Sequence, residues 1–150
     1  ISTLTKEDES LVLALGGLQV GIRPLEMAAG YATIANDGEY IEPVFYSRID
    51  NKSGKNILEP KQKTRRVFTK EVAYILKSLL KEPVEGKNGT ATYCAINGID
   101  VAAKTGTTDE NYDRWLCGFT PYYTAATWYG FDQNETINFN NRNPARTIMG

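Results

Sequence analysis

The sequence predicts an α/β fold of the α+β type, in which an antiparallel sheet is flanked by helices. Three observations support this fold class. In residues 99–104 the apolar side chains of Ile99, Val101 and Ala103 recur with the period of two that is typical of a half-buried strand. Residues 115–119 and 123–131 are rich in strand-forming residues on either side of a Pro-Tyr turn, which predicts a hairpin. Residues 70–82 carry apolar side chains at helical spacing, which predicts an amphipathic helix.

Composition narrows the possible functions. A length of 150 residues fits one domain or part of one, and 41% hydrophobic residues are sufficient for a core. A net charge of −1 provides no field for nucleic acid or for an anionic membrane surface. Histidine is absent, which excludes a Ser-His-Asp triad and a His-ligated metal within this chain. There is no apolar window of about 18 residues, so no membrane contact is expected from this segment.

The chain has two cysteines, Cys94 and Cys117, which are too few for a disulfide scaffold or a four-thiolate zinc site. They could form one disulfide if the strands that carry them come together. Two free buried thiols are the favoured alternative. We therefore expect no metal site and no cofactor.

The first third of the chain predicts mostly irregular structure followed by one helix. Residues 1–22 are expected to be loop and extended chain, in which the apolar run Leu11–Leu15 forms a buried core segment. Pro24 is suited to the first turn of a helix, since its missing N–H has no partner there. Residues 36–38, with the sequence Asn-Asp-Gly, supply the stop signal.

The middle of the chain predicts a hairpin, a basic loop and the amphipathic helix. Residues 41–49 and the turn cluster at 51–55 indicate two extended arms. The basic run 61–66 has no interleaved aromatic residues, so a solvated loop is favoured over a nucleic-acid contact. Thr69 caps the helix and Pro83 is expected to end it. Its apolar positions are Val72, Ile75, Leu76, Leu79 and Leu80.

A glycine-rich segment, residues 85–91, leads from this helix toward the strand that starts at Ile99. It either borders a cleft or is a plain connector. The strand is entered through Asn97-Gly98, a turn-forming pair.

The strand ends in the run Lys104-Thr105-Gly106-Thr107-Thr108. If it lies at the edge of the sheet, its unpaired backbone groups can bind an extended peptide as an additional strand. The hydroxyls of Thr105 and Thr107 could bind a terminal carboxylate, and Lys104 supplies the compensating charge. Gly106 lets a second backbone approach, and N–H groups beyond it could donate to an oxyanion. The run therefore predicts a site for a carboxylate-ended peptide.

Lys-Thr-Gly is a signature of penicillin-binding proteins and class A β-lactamases. Two flanking stretches extend the match in the family's order: residues 13–17 with residues 21–28, and residues 113–121 with Thr127-Trp128-Tyr129-Gly130. The chain therefore resembles the C-terminal part of the transpeptidase domain of a class A, bifunctional penicillin-binding protein. On this basis residues 1–150 are expected to be a portion of such a domain, cut at both ends. The Leu-Glu-Met-Ala and Trp-x-x-Gly-Phe-Thr-Pro segments favour the cell-wall synthase over a β-lactamase.

The resemblance implies a partial penicillin-binding-protein transpeptidase fold, similar to that of serine β-lactamases. It implies that the substrate is bound by Lys104, Thr105, Gly106, Thr107 and Thr108, with the backbone N–H of Thr107 as one oxyanion donor. Asp113 matches an acidic residue that supports the motif strand in the family. Neither a metal nor an organic cofactor is implied.

The family's two other motifs, Ser-x-x-Lys and Ser-x-Asn, are not found in a suitable place. Ser78-Leu79-Leu80-Lys81 has the spacing of the first motif, but it lies downstream of the segment that should follow the nucleophile. A chance match inside the amphipathic helix is therefore favoured. The upstream part of the same domain is expected to carry both motifs, and this chain alone is expected to be inactive.

Two functions of different classes remain. Under the first, the chain is part of a peptidoglycan D,D-transpeptidase, a serine-type acyltransferase that cross-links stem peptides ending in D-Ala-D-Ala and binds β-lactams. The parent would act at the extracytoplasmic face of the bacterial membrane, anchored by an upstream transmembrane helix. Under the second, the chain is an inert binding or structural fragment that re-associates with its upstream half. The acceptor amine is left open.

Overall fold

The computed structural model describes residues 1–138 and 144–149. Within them lie the helices α1 (Pro24–Ala35), α2 (Lys70–Glu85) and α3 (Pro144–Met149). The strands are β1 (Glu39–Ile41), β2 (Ile49–Asp50), β3 (Asn56–Leu58), β4 (Thr64–Arg66), β5 (Ala102–Thr107), β6 (Asp113–Phe119) and β7 (Thr124–Gly130). Short 3-10 turns occur at Lys6–Asp8, Leu11–Leu15, Thr92–Cys94 and Asp109–Asn111.

The main sheet is antiparallel with the strand order β5-β6-β7, and the helices pack on it. Ala103 and Leu116 share a face and join a buried cluster with Val84 of α2 and Ala145 of α3. Cys117 lies on the opposite face of the sheet, on which α1 packs against β6. The predicted class, a mixed fold with an antiparallel sheet flanked by helices, is confirmed.

Cys94 and Cys117 are not joined by a disulfide and both are buried, as the favoured alternative predicted. Cys117 is only 2% exposed, because it lies in the central strand of the sheet. Burial raises the pKa of its thiol to about 12. The thiol is therefore protonated at neutral pH.

The prediction that Leu11–Leu15 is a buried core segment is wrong. The segment is a 3-10 turn in which Leu11 and Leu15 are 92% and 89% exposed. The buried residue of this region is instead Asp8, whose carboxylate accepts hydrogen bonds from the backbone N–H groups of Thr5 and Gln19, both 2.8 Å. Polar bonds rather than apolar packing hold this part of the chain.

Helix α2 begins as predicted, since the Thr69 hydroxyl accepts a bond from the Val72 N–H (3.3 Å). It does not end at Pro83 but continues to Glu85. Proline removes one helical bond, yet Gly86 N–H still reaches the Glu82 carbonyl (2.8 Å), so the last turn closes.

The apolar stripe of α2 is only partly covered. Its buried residues are Ala73 and Val84, whereas Val72, Ile75 and Leu79 are 42%, 57% and 61% exposed. We call this exposed set the outer stripe of α2. Apolar periodicity thus predicted the helix, but it did not predict which side contacts the sheet.

The predicted hairpin exists as β2 and β3 about the turn at 51–55, but its arms are short. Most of 41–49 is irregular, and β1 pairs instead with β4. The end of the basic run, Thr64–Arg66, is therefore a strand rather than a loop. Its three residues are exposed, as expected of a solvated segment.

Candidate functional site

The motif strand starts later than its sequence pattern predicted. Ile96 and Ile99 form a bridge about Asn97-Gly98, where Gly98 has a φ of 77°, a value that favours glycine. Regular pairing begins at Ala102, and Lys104 to Thr107 form the end of β5. Among the described residues β5 pairs with β6 alone, so it meets the condition of an edge strand on which the peptide site depends.

The ladder decides which backbone groups of β5 face the open edge. The N–H of Thr108 donates to the carbonyl of Asp113 (3.3 Å), and in an antiparallel pair alternate residues make these bonds. Thr107, opposite Arg114, and Thr105, opposite Leu116, are therefore the residues whose N–H and C=O point away from β6. The N–H groups of both residues and the carbonyl of Thr107 are available to an incoming extended chain, whereas the carbonyl of Thr105 is contacted by the Lys104 ammonium.

The side chains of the motif divide between the two faces of the strand. Thr105 and Thr107 share a face, and each hydroxyl has a partner: Thr90 Oγ1 at 3.0 Å and Arg114 Nη1 at 2.9 Å, respectively. Lys104 is exposed on the other face, and its Nζ donates to the Thr105 carbonyl (2.7 Å). The Lys104 ammonium thus lies at the open edge of β5, beside the Thr105 carbonyl.

Gly106 lies opposite Trp115 in the ladder. A Cβ at Gly106 would be 3.1 Å from the Trp115 Cβ, which is closer than ordinary contact. Trp115 in turn stands against Trp128, with ring centroids 6.5 Å apart and planes tilted by 47°. The absence of a side chain at position 106 therefore accommodates the tryptophan pair.

Thr108 is held by Asp113 at the end of the strand. Its hydroxyl accepts a bond from the Asp113 N–H (2.8 Å) and donates to Asp113 Oδ2 (3.2 Å). Asp113 Oδ1 accepts from the Trp128 indole (2.7 Å). Asp113 thus ties β5, β6 and β7 together, while the Thr108 hydroxyl faces the protein.

Residues 5–146 match the family described as the penicillin binding protein transpeptidase domain. The chain belongs to this family. Penicillin-binding protein 1A of Clostridium acetobutylicum is 39% identical over 144 residues, which cover 95% of this chain and 18% of that protein. The resemblance to a class A penicillin-binding protein is therefore confirmed. The chain spans less than a fifth of the length of this relative.

Solved structures of transpeptidase-family proteins have the same fold. Penicillin-binding protein 1A from Haemophilus influenzae superposes with a TM-score of 0.81 at 26% identity, covering 97% of this chain and 27% of that one. The D,D-transpeptidase domain of a peptidoglycan glycosyltransferase from Eggerthella lenta gives a TM-score of 0.59 at 33% identity, covering 69% and 25%. The penicillin-binding-protein transpeptidase fold expected from the sequence is confirmed.

Ser78, the serine with Ser-x-x-Lys spacing in this transpeptidase-family chain, has no activating partner in Lys81. Its hydroxyl donates to the Tyr74 carbonyl within α2 (3.1 Å). The Lys81 ammonium is paired with Asp100 at 2.6 Å, and this bond raises the pKa of Lys81. The arrangement favours the interpretation of Ser78-Leu79-Leu80-Lys81 as a chance match.

Two residues of this transpeptidase-family site were missed by sequence reasoning, Thr90 and Arg114. Thr90 lies in the segment 85–91, which was left open between cleft border and connector, and its contact with Thr105 places it beside the motif. Arg114 could have been found by pairing the two strands across the loop, because residue 114 then stands opposite Thr107.

The part of the chain that the structure describes has no group of three or more His, Cys, Asp or Glu that could hold a metal ion. None of its helices has the length and apolar character needed to cross a membrane. The cationic groups of the site are Lys104 and Arg114, and within residues 1–138 and 144–149 neither forms an ion pair. The Asp113 carboxylate is bonded to Thr108 and to the Trp128 indole. The two unpaired cations suit the motif strand to an anion.

Proposed function

We propose that this chain is the substrate-binding part of a peptidoglycan D,D-transpeptidase that also binds β-lactams. The observation that carries the proposal is the open edge of β5, where the N–H groups of Thr105 and Thr107 and the carbonyl of Thr107 can pair with an extended peptide. Membership of the transpeptidase family supports the same reaction. Under this proposal a stem peptide ending in D-Ala-D-Ala lies along β5.

In this site Lys104, Thr105 and Thr107 hold the carboxylate of the terminal D-alanine, and Gly106 lies between them without a side chain. The N–H of Thr107 donates to the oxyanion, for which the free backbone of Thr107 is suited. Thr108 is proposed to act indirectly, because its hydroxyl is bonded to Asp113. Its assignment as a direct substrate contact remains a prediction.

The chemistry is a serine-type acyl transfer in two steps. A serine Oγ attacks the carbonyl carbon of the D-Ala-D-Ala bond, the C–N bond breaks, and D-alanine leaves with the serine proton on its amine. An amine of a neighbouring stem then attacks the acyl carbon and releases the serine, which regains a proton. A β-lactam enters by the first step, and its ring C–N bond opens in place of the peptide bond.

The serine is proposed to come from the upstream part of the same domain, which carries Ser-x-x-Lys and Ser-x-Asn. This chain alone is then inactive. The exposed turn Leu11–Leu15 and the outer stripe of α2 offer apolar surface on which the upstream part can pack. The parent is proposed to be anchored in the bacterial membrane by an upstream helix and to act at its extracytoplasmic face.

Penicillin labelling followed by denaturing intact-mass measurement tests this proposal. The full-length protein and the 150-residue chain are incubated separately with penicillin G. An adduct is expected on the full-length protein, on a serine outside residues 1–150, and none on the isolated chain. No adduct on the full-length protein would favour the inert binding or structural fragment, and an adduct on Ser78 would contradict the assignment of the nucleophile.

The role of Lys104 is tested in the full-length protein by Lys104→Ala. Acylation by penicillin G is expected to slow about tenfold to a hundredfold, because a charge-assisted bond to the carboxylate is lost. The midpoint of thermal unfolding is expected to change little, since Lys104 is exposed. Lys61→Ala, on the exposed basic run, is the matched control. A fall in stability that parallels the fall in acylation would make Lys104 structural.

A further inference from the structure

Arg114 stands directly opposite Thr107 and is bonded to it. The Arg114 Nη1 donates to the Thr107 Oγ1 (2.9 Å), and Nη2 donates to the Asn111 Oδ1 (2.8 Å). The guanidinium is therefore clamped between the motif strand and the loop that joins β5 to β6. It is only partly exposed, in contrast to the ammonium of Lys104.

The loop end of this clamp is itself fixed. Asn111 has a φ of 58°, in the left-handed region, and its carbonyl accepts a bond from the N–H of Ile137 (3.1 Å). Ile137 is buried, 5% exposed. Because Asn111 is held by the backbone of a buried residue, it gives Arg114 a fixed acceptor and keeps the guanidinium beside Thr107.

The bond from Arg114 determines how the Thr107 hydroxyl can act. A threonine hydroxyl has one proton to donate and two lone pairs that accept. Since Nη1 occupies a lone pair, the hydroxyl proton is left for another acceptor. No carboxylate of the described residues forms an ion pair with Arg114, so the guanidinium is not held by a direct salt bridge there. Both effects favour an anionic acceptor at Thr107.

We propose that Arg114 is a positioning residue that makes this site select ligands with a free carboxylate. It acts through Thr107: Nη1 orients the hydroxyl as a donor, and the guanidinium charge adds to that of Lys104. The inference rests on the proposed function and deepens it, because it assigns selectivity for the carboxylate to a residue outside the Lys-Thr-Gly motif.

The test compares two probes in the full-length protein, penicillin G and its methyl ester, which lacks the carboxylate charge. Acylation rates are measured from intact masses over time. Arg114→Gln is expected to slow acylation by penicillin G about tenfold to a hundredfold and acylation by the ester less than about threefold. The preference for the acid over the ester therefore collapses. Arg48→Gln, on the exposed β2–β3 hairpin, is the matched control and should preserve the preference.

Two further variants separate positioning from folding. Arg114→Lys keeps a charge but lacks the fork that reaches both Thr107 and Asn111, so an intermediate preference is expected. Asn111→Ala keeps the guanidinium but releases Nη2, and it should reduce the preference less than Arg114→Gln. If these folded variants retain the unchanged protein's preference, the inference is overturned.

An equal slowing of both probes by Arg114→Gln would also overturn the inference, since it would show a purely structural role. A failure of the proposed function gives a different result. In that case the unchanged full-length protein is not acylated by penicillin G at all, and the inference about Arg114 is also wrong. Acylation of the unchanged protein together with a retained preference in Arg114→Gln refutes the role of Arg114 alone.

Discussion

In the β5-β6-β7 sheet Leu116 is fully buried, whereas in the N-terminal segment, residues 1–23, Leu11 is 92% exposed. The sheet combines a long ladder with apolar packing from α2 and α3. The N-terminal segment is organised around the buried carboxylate of Asp8. The motif strand thus rests on the part of the chain with its own core, while the exposed apolar segment depends on polar bonds.

The largest expected effect separates two leucines. In the 150-residue chain, Leu116→Ala should lower the free energy of unfolding by about 2–5 kcal/mol, because it leaves a cavity in the core. Leu11→Ala should change it by less than about 0.5 kcal/mol, since Leu11 is exposed. Urea unfolding measures both values. Equal losses of unfolding free energy would contradict the contrast between the buried sheet and the exposed N-terminal segment. A larger loss for Leu11→Ala in the full-length protein would show that the upstream part covers Leu11.

The next effect concerns the bonds that tie the sheet together. Asp113→Ala removes the acceptor of the Trp128 indole N–H and the partner of Thr108. A loss of about 1–3 kcal/mol in the free energy of unfolding is expected, because a partly buried donor is left unpaired. Asp109→Ala, at an exposed position in the neighbouring loop, is the control. An unchanged unfolding midpoint in Asp113→Ala would mean that packing of the two tryptophans alone holds the strands.

A smaller effect is expected at Gly106. In Gly106→Ala the new methyl group would lie too close to the Cβ of Trp115. The shift that removes this contact should lower the free energy of unfolding by about 1 kcal/mol. Unfolding in urea, followed by tryptophan fluorescence, measures the change. Gly30→Ala is a matched control in α1, where the added Cβ has open space. If Gly106→Ala is as stable as the unchanged chain, the tryptophan pair can shift at no cost.

The smallest effect is a pH dependence confined to the N-terminal segment. Backbone bonds from Gln19 and Thr5 hold the pKa of Asp8 below its usual range. A lowered pKa stabilises the fold above about pH 4, and this stabilisation is lost as pH falls through the folded value. The protection factor of the Gln19 amide, which corrects the exchange rate for its intrinsic pH dependence, should therefore fall at low pH before those of β6. Asp8→Asn should remove the difference, and Glu7→Gln, at an exposed position, should preserve it.

Local patterns in the sequence were sufficient for most elements. Pro24 and the Asn-Asp-Gly stop predicted α1, Thr69 predicted the start of α2, and the Pro-Tyr turn predicted the β6–β7 hairpin. These local patterns do not predict a segment whose structure depends on residues far away in the sequence. Thr64–Arg66 pairs with β1, and nothing local distinguishes this strand from a solvated basic loop. Pro83 is tolerated because bonds close the last turn around it.

The residues of the candidate site likewise include some that local sequence predicted and others that it did not. The run 104–108 was sufficient to predict a strand that carries the motif, since residue types and order express that chemistry directly, whereas its position at the sheet edge was only a condition of the peptide site. Thr90 and Arg114 were not predicted, because their roles depend on which hydroxyl each contacts across 15 and 7 residues of chain, respectively. The exposure of Leu11–Leu15 was predicted wrongly, since apolarity favours burial but does not say what covers it.

Residue types at short spacing were sufficient to predict the family, the fold class and the motif strand. That Thr105 and Thr107 present backbone groups at an open edge, and that Arg114 lies opposite Thr107, depends on how the strands pair in the folded chain. These features follow from the register of the sheet. An antiparallel ladder alternates bonded and free residues, and a shift of one residue would exchange the groups that face the ligand with those that face β6.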